Sequence, residues 1–356
     1  MTFQKDQNIL IIGAGLIGTS IALGLIAQGF KVFLSDTDPD ALNDAIKVSG
    51  ANIFLDQVIE VVFVATPPVS VASVITDAVI DHPMAVVTDV ASVKGAIFRE
   101  LDSLGTRDWD RIVGGHPMAG REVTGAIAAQ GNLFLDRPWV IASNTKTSND
   151  SIATVKFLVE SLGAFPVMRT VDEHDQAVAL ISHTPQVVAT VLAGELIDAE
   201  DSYIELAGQG IRDTIRIAGS DANLWTEILS DNSRNISVQV TQVAKRLLEF
   251  AAALDAGDRE DVNAKLVKGK QGKDRLPGKH GSFNQTTAVL VVRLDDKPGE
   301  LARLFTIAAN SNVNLEDVRI DHSLGHPTGL VELTVSPGSI PKLRPTLEAQ
   351  GFVVVS

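Results

Sequence analysis

NILIIGAGLIG, Asn8–Gly18, is the stretch that decides how the first third of the chain folds. Asn8 to Ile12 read as a continuous apolar strand, and Gly13-Ala14-Gly15-Leu16-Ile17-Gly18 leads from it into a helical pattern that runs to Gln28. In a strand–turn–helix context each glycine has its own use. Gly13 permits the tight turn, Gly15 lets backbone approach a pyrophosphate, and Gly18 lets helix and strand pack closely. The helix start at Leu16 and Ile17 then offers N–H groups and a partial positive charge to phosphates. A second strand, Lys31 to Ser35, ends at Asp36, 18 residues after Gly18. A carboxylate there accepts hydrogen bonds from the adenosine ribose hydroxyls and repels a 2′-phosphate. The expected cofactor is therefore NAD rather than NADP, and no metal is expected.

Outward from this unit the alternation continues. Val61 to Ala65 is a further buried strand, ending in Thr66-Pro67-Pro68, and Ala85 to Asp89 is the next, leading into VTDVASVKG, Val87 to Gly95. An open α/β sheet places its ligands at the C-terminal ends of its strands, which brings Thr66, Asp89, Ser92 and Lys94 toward the nicotinamide side. For Ser92 and Lys94 the alternative is helix capping and a solvated first turn. A strand from Arg111 to Val113 delivers IVGGHPMAG, Ile112 to Gly120, to the same edge. Gly114, Gly115 and Pro117 would hold His116 on a tight turn, where a neutral imidazole can take a proton. The alternative is an ordinary turn histidine. Trp139 to Ala142 and Ala164 to Met168 read as the last strands of this part, which closes near Thr170.

From Val171 the pattern is helical. Asp172 to Ile197 reads as helix, apolar on more than one face from Val187 onward, as in a bundle or at a subunit contact. His174 and His183 are nine residues apart and should not share a face of one straight helix, and Pro185 should break or kink the run. Arg212 and Arg216 are four apart and would share a helix face, either as a carboxylate-binding pair or as surface arginines. A long amphipathic helix then runs to Leu254, with Leu224, Ile228, Ile236, Val240, Val243, Leu247 and Leu254 as its apolar stripe.

Lys268 to Ser282, KGKQGKDRLPGKHGS, is basic and glycine-rich and reads as linker. Beyond about Gln285 the order is strand Thr287–Leu294, turn Asp295–Gly299, helix Glu300–Asn310, strands Val313–His322 and Gly329–Val335, a helix from about Ile340, and strand Phe352–Val355. That β-α-β-β-α-β order is the ferredoxin-like split unit. No side chain is placed to cap the helix after Asp296-Lys297-Pro298-Gly299, which leaves donors for a carboxylate there, with Asn314 at the start of the next strand as a neighbouring contact.

Composition bounds the rest. The 356 residues are 45% hydrophobic and 21% charged, enough for two or three cores. A net charge of −14 argues against nucleic acid or an anionic membrane surface as partner. The chain has no cysteine, which excludes disulfides and thiolate chemistry and suits the cytoplasm. No apolar run comes near the roughly 20 residues needed to cross a bilayer, and no signal-peptide pattern opens the chain.

Taken together, GAGLIG at Gly13, SVKG at Ser92, GGHPMAG at Gly114, EHD at Glu173, SHTP at Ser182 and IRIAGSD at Ile215 resemble the prephenate and arogenate dehydrogenase family of tyrosine biosynthesis. DDKPGELARLF, Asp295 to Phe305, resembles the turn signature of an ACT domain. The resemblance implies an α/β Rossmann-type domain over residues 1–170 and a helical substrate and dimerisation domain over 171–267. A linker over 268–284 and an ACT-like regulatory unit over 285–356 would follow. It implies that His116 is the base on the substrate's ring hydroxyl and that Ser92 orients His116 or that hydroxyl. Arg216 would hold a substrate carboxylate, His174 and His183 would lie around the site, and the chain would be a homodimer. In the ACT-like unit Asp296, Pro298, Gly299 and Asn314 would meet an aromatic amino acid, tyrosine before phenylalanine. Three positions after His183, where some members carry a second histidine, this chain has Gln186. Prephenate dehydrogenase is the first expectation and arogenate dehydrogenase its alternative. A non-catalytic NAD- and amino-acid-sensing regulator is the distant one, disfavoured by a base at the hydride edge.

Overall fold

The computed structural model describes residues 6–119, 125–276, 287–322 and 328–355. Gly120, which ends IVGGHPMAG, and residues 277–284 of the expected linker lie outside the described residues. By internal packing the chain divides into two compact units, Met1–Ala244 and Lys245–Ser356.

The first unit is built on eight strands: β1 Asn8–Ile12, β2 Lys31–Ser35, β3 Asn52–Ile53, β4 Val61–Val64, β5 Val86–Asp89, β6 Ile112–Pro117, β7 Pro138–Ser143 and β8 Phe165–Thr170. Their order is β3-β2-β1-β4-β5-β6-β7-β8, so the winding reverses between β1 and β4 and opens a crevice at the strand C-termini. Side chains alternate between two buried faces. Ile9, Ile11 and Phe63 pack with Trp139 on one, Leu10, Val62, Val64 and Val87 on the other. Burial on both faces is why these strands read as unbroken apolar runs, each fully buried Ile or Phe being worth about 1.5–3 kcal/mol.

The parallel pattern holds through β6 and then stops, because β7 pairs antiparallel to β6 and β8 parallel to β7. A parallel return requires a long crossover, usually a helix, and between β6 and β7 the described residues form only a short 3₁₀ turn, Ala126–Ala128. Arg111, the expected start of the β6 strand, instead closes a 3₁₀ turn, Trp109–Arg111.

After β8 the helix Val171–Val178 passes into a π-helical segment, Ala179–His183, and then into helix Thr184–Gly194. Pro185 does not break the run, since it sits in the first turn of the last helix. There the ladder is already changing register, so the missing N–H is least costly. Contrary to expectation, Val171–Gly194 is, by length and composition alone, apolar enough to cross a membrane. Its first two turns are fastened to the sheet unit by buried hydrogen bonds of His174 and Asp175. Its exposed side includes Leu180, Ile181, Val191 and Leu192.

The helix Gln209–Ile215 ends before Arg216, which opens a 3₁₀ turn, Arg216–Gly219, so Arg212 and Arg216 do not lie on one α-helix. The expected amphipathic helix is two, Ala222–Asp231 and Ser233–Asp255, separated at Asn232. Of its stripe Ile228 and Ile236 are buried, whereas Leu224, Leu247 and Leu254 are exposed.

In the second unit the first part of the expected linker is helix, Arg259–Lys273. Asp258 caps it, Glu260 and Asp261 stand in its first turn, Lys270 and Lys273 in its last, and Lys265 pairs with Asp261 at 2.6 Å. Capping and charges matched to the helix dipole outweigh its two glycines. The strands β9 Ala288–Asp295, β10 Asp317–His322, β11 Thr328–Val335 and β12 Val353–Val354 form a sheet of order β10-β11-β9-β12. With the helices Glu300–Asn310 and Ile340–Ala349 this is the expected split β-α-β unit. Gly299, at φ +92°, opens the first helix without a side-chain cap. Asn314 precedes β10 rather than starting it, and its Nδ2 donates to Glu316 Oε1 at 2.7 Å.

Candidate active site

At the crevice the three glycines of the first turn meet three different surroundings. Gly13 has φ +111°, and a Cβ there would stand 2.4 Å from the carbonyl oxygen of Ala65. A Cβ on Gly18 would stand 2.0 Å from the carbonyl oxygen of Gly13, whereas one on Gly15 would meet nothing within 4 Å. Two glycines are thus required by packing, and the third faces open space. Leu16 and Ile17 begin the helix Leu16–Ala27, which no side chain caps. Asp36 holds the loop itself: Oδ2 accepts from the Ala14 N–H at 2.6 Å and Oδ1 from the Asp38 N–H at 2.8 Å. Each carboxylate oxygen keeps a lone pair for a further donor. Thr66, beside Gly13, has a buried Oγ1 with no partner among the described residues. An open glycine approach, an uncapped helix start, a carboxylate at the end of β2 and an orphaned hydroxyl fit a dinucleotide.

The base edge is built differently. Gly114-Gly115-His116-Pro117 is not a turn but the second half of β6, paired to β7 with His116 opposite Val140. Of the β6 residues only Ile112 and Val113 pair with β5, so His116 overhangs the end of β5. The glycines serve packing. A Cβ on Gly115 would stand 2.3 Å from the Asp89 carbonyl oxygen, and one on Gly114 would stand 2.9 Å from that of Ala142. Lys94 stands at the N-cap position of the helix Gly95–Ser103, but its side chain neither caps that helix nor reaches solvent: it is fully buried and ion-paired with Asp89. Burial pulls its ammonium below the usual lysine range, against the opposing charge of Asp89. The other Asp89 oxygen accepts from the Gly115 N–H at 3.2 Å and so tethers β6.

His116 Nδ1 lies 2.8 Å from His174 Nε2, and His174 Nδ1 lies 2.8 Å from Asp175 Oδ1. Asp175 also accepts from the backbone N–H groups of Lys94 and Gly95, at 2.9 and 2.8 Å. Burial opposes its charge, yet the hydrogen bonds from His174, Lys94 and Gly95 together hold it below the usual carboxylate value. An ionised carboxylate can only accept, so His174 carries a proton on Nδ1, and in the neutral ring its Nε2 accepts. His116 then donates from Nδ1 and keeps the lone pair on Nε2. Desolvation first, with the neighbouring His174, Lys94 and His183 adding to it, holds His116 well below 6.5, so it is neutral near pH 7. Ser92 lies partly buried in the loop before Lys94.

His183 is buried with its ring edge-on to Trp225 at 6.0 Å. The π-helical segment turns the chain less per residue than an α-helix, which rotates His183 back toward the side of His174. Gln186 is buried and its Nε2 donates to the Ile217 carbonyl at 3.0 Å, tying the helix to the turn that carries Arg216. Arg212 is exposed, with Nη2 3.4 Å from the Ala207 carbonyl oxygen. Among the described residues no group of His, Asp and Glu could hold a metal ion.

Asp175, Trp225 and Asn232 were not singled out from the sequence. Asp175 stands in the EHD run beside His174, which was a usable signal. Asn232 had none, because its place depends on a helix break hidden inside an amphipathic stripe.

Family comparisons agree with this geometry. The model of the prephenate dehydrogenase nucleotide-binding domain matches residues 21–168, and that of the prephenate dehydrogenase dimerization domain matches residues 170–268. A Streptomyces niveus protein described as "Probable prephenate dehydrogenase NovF" is 34% identical, covering 93% of this chain and 94% of its own. The crystal structure of prephenate dehydrogenase from A. aeolicus in complex with hydroxyphenyl propionate and NAD+ is 25% identical with a TM-score of 0.70, covering 76% of this chain and 99% of its own. That of Synechocystis arogenate dehydrogenase is 27% identical with a TM-score of 0.66 and the same two coverages.

Proposed function

The chain belongs to the prephenate dehydrogenase family, and from that premise we propose that it converts prephenate to 4-hydroxyphenylpyruvate and carbon dioxide with NAD. The hydrogen-bonded series Asp175–His174–His116, which leaves a lone pair on His116 Nε2, carries this reading. His116 takes the proton of the ring hydroxyl as the carbon bearing it is oxidised. The ring carboxylate departs as carbon dioxide and the ring becomes aromatic. Bound NAD supplies the hydride acceptor. Gly13, Gly15, Gly18, the helix start at Leu16 and Ile17, Asp36 and Thr66 would hold it, with Asp36 disfavouring a 2′-phosphate.

Ser92 contacts the same hydroxyl, Arg216 holds a substrate carboxylate, and His183 and Gln186 line the rest of the site, with Arg212 outside it. The exposed apolar residues Leu180, Ile181, Val191 and Leu192 form the homodimer contact of the matched dimerization domain. In the second unit the uncapped helix start at Gly299, with Asp296, Pro298 and Asn314, takes tyrosine or phenylalanine as effector. Calorimetry of the intact chain with each amino acid at millimolar concentration tests that assignment, which fails if neither binds.

Gln186 favours a second reading. Where some members carry a histidine near the substrate side chain, this chain has an amide that also ties two elements together, so arogenate is the alternative substrate. Mixing the protein with NAD or NADP and with prephenate or arogenate, and following the absorbance of the reduced cofactor, decides among these. Turnover of prephenate with NAD is expected. Preference for arogenate or for NADP, or no turnover at all, overturns the corresponding part of the reading.

A further inference from the structure

Asn232 occupies the break between the helices Ala222–Asp231 and Ser233–Asp255 and is 4% exposed. Its side-chain amide is pinned from three directions. Nδ2 donates to the backbone carbonyl of Asp175 at 2.8 Å, Oδ1 accepts from Asn235 Nδ2 at 2.8 Å, and Nδ2 lies 3.3 Å from His183 Nδ1. A carbonyl can only accept and an amide nitrogen can only donate, so the first two bonds allow the amide a single orientation. Toward His183 it therefore presents N–H, and His183 Nδ1 must supply the lone pair. The proton of the neutral ring is then on Nε2.

We propose that Asn232 is a positioning residue that holds His183 in its Nε2–H tautomer, so that His183 meets the substrate as a hydrogen-bond donor to one of its oxygens and not as a second base. The proposal rests on the reading of this crevice as the prephenate site. Burial holds His183 down to about 4, against the pull of Asp175, so the ring is neutral and has only that one proton to offer. The arrangement is the inverse of His116, whose Nδ1 carries the proton and whose Nε2 keeps the lone pair.

Nitrogen NMR of the free protein labelled at histidine, with the His183 signals assigned by their loss in His183→Gln, reads the tautomer without any substrate. The Nε2–H form is expected in the wild-type chain. Asn232→Asp replaces the donor by an acceptor, should move the proton to Nδ1, and should raise KM for prephenate by about 10- to 100-fold, the scale of one hydrogen bond to a charged group. KM for NAD should change little. His183→Gln, whose amide can still donate from the Nε2 position, should bind prephenate better than His183→Glu. A wild-type proton on Nδ1, an Asn232→Asp chain that switches tautomer with no change in KM for prephenate, or equal binding by the two His183 variants overturns the proposal. Should Asn232→Asp not fold, the wild-type tautomer and the His183 pair still decide it. Failure of the wild-type chain to turn over prephenate would instead remove the reading beneath it.

Discussion

His116 and His183 are neutral imidazoles in one crevice, and they are held at the same ring atom by partners of opposite character. At Nδ1 His116 faces His174, whose own proton is committed to Asp175, so His116 must donate. At Nδ1 His183 faces the amide nitrogen of Asn232, so it must accept. The remaining nitrogen of each ring is left in the form its neighbour sets: a lone pair on one, a proton on the other. A histidine's chemistry is thus set one residue away from it.

Removing the base should have the largest effect. His116→Asn is expected to lower kcat by about 10²–10⁴-fold, the usual contribution of a positioned general base, with NAD affinity retained. Near-normal turnover would place the base elsewhere. In the wild-type chain kcat should stay level as pH falls past 6.5 and decline only well below it, because burial depresses the His116 pKa and the neutral form is the active one. An acid limb centred at 6.5 would show a solvated base.

On the anion-binding side the expected change is in KM. Arg216→Ala should raise KM for prephenate by about 10- to 100-fold through loss of a charge-assisted contact, with less change for NAD. A larger effect of Arg212→Ala would reverse the pair. The scaffold beneath the base gives a third contrast. Gly115→Ala must push a methyl group against the Asp89 carbonyl, which should destabilise the fold by about 1–3 kcal/mol and lower kcat by shifting β6. Gly15→Ala meets no atom within 4 Å among the described residues, so its melting temperature should hold while KM for NAD rises. Equal melting temperatures for the two variants would remove the packing account of Gly115.

These contrasts follow the line between what the sequence made legible and what it did not. The glycine turn, the strands β1, β2, β4 and β5, the helical segment and the split β-α-β unit could be read, because spacing and apolar periodicity express them locally, whereas the two-residue β3 could not. Gly114 and Gly115 misled: glycines that admit close packing look, in sequence, like glycines that admit a turn, and only the β7 pairing separates the two. For Lys94 a solvated first turn stands as an alternative in the sequence because its buried partner Asp89 is set by tertiary packing. The basic stretch after Lys268 looked like linker because its glycines are conspicuous, while the cap at Asp258 lies ten residues upstream. His174 and His183 seemed too far around a helix to cooperate, and a π-helical segment, for which the sequence carries no clear mark, brings them closer.

The smallest expected effect concerns stability against pH, and it treats the two histidines alike. Both have folded-state values below 6.5, His116 well below and His183 at about 4. As pH drops through 6.5 the unfolded chain takes up protons on both rings, whereas the folded chain does not until much lower pH. The unfolded state then binds more protons, so folding stability must fall as pH goes from about 7 toward 4. Asp175 adds to the loss only at the acid end, because its carboxylate is held below its ordinary value and stabilises the fold until it is protonated. Melting curves across that range should show a Tm decline, at about 2–4 °C for each kcal/mol lost. Replacing either ring by an amide, as in His116→Asn or His183→Gln, removes one titrating group and should flatten the slope between pH 6.5 and 4. A slope unchanged by both substitutions would mean that neither ring is kept neutral by burial, and the opposed tautomers would lose their physical basis.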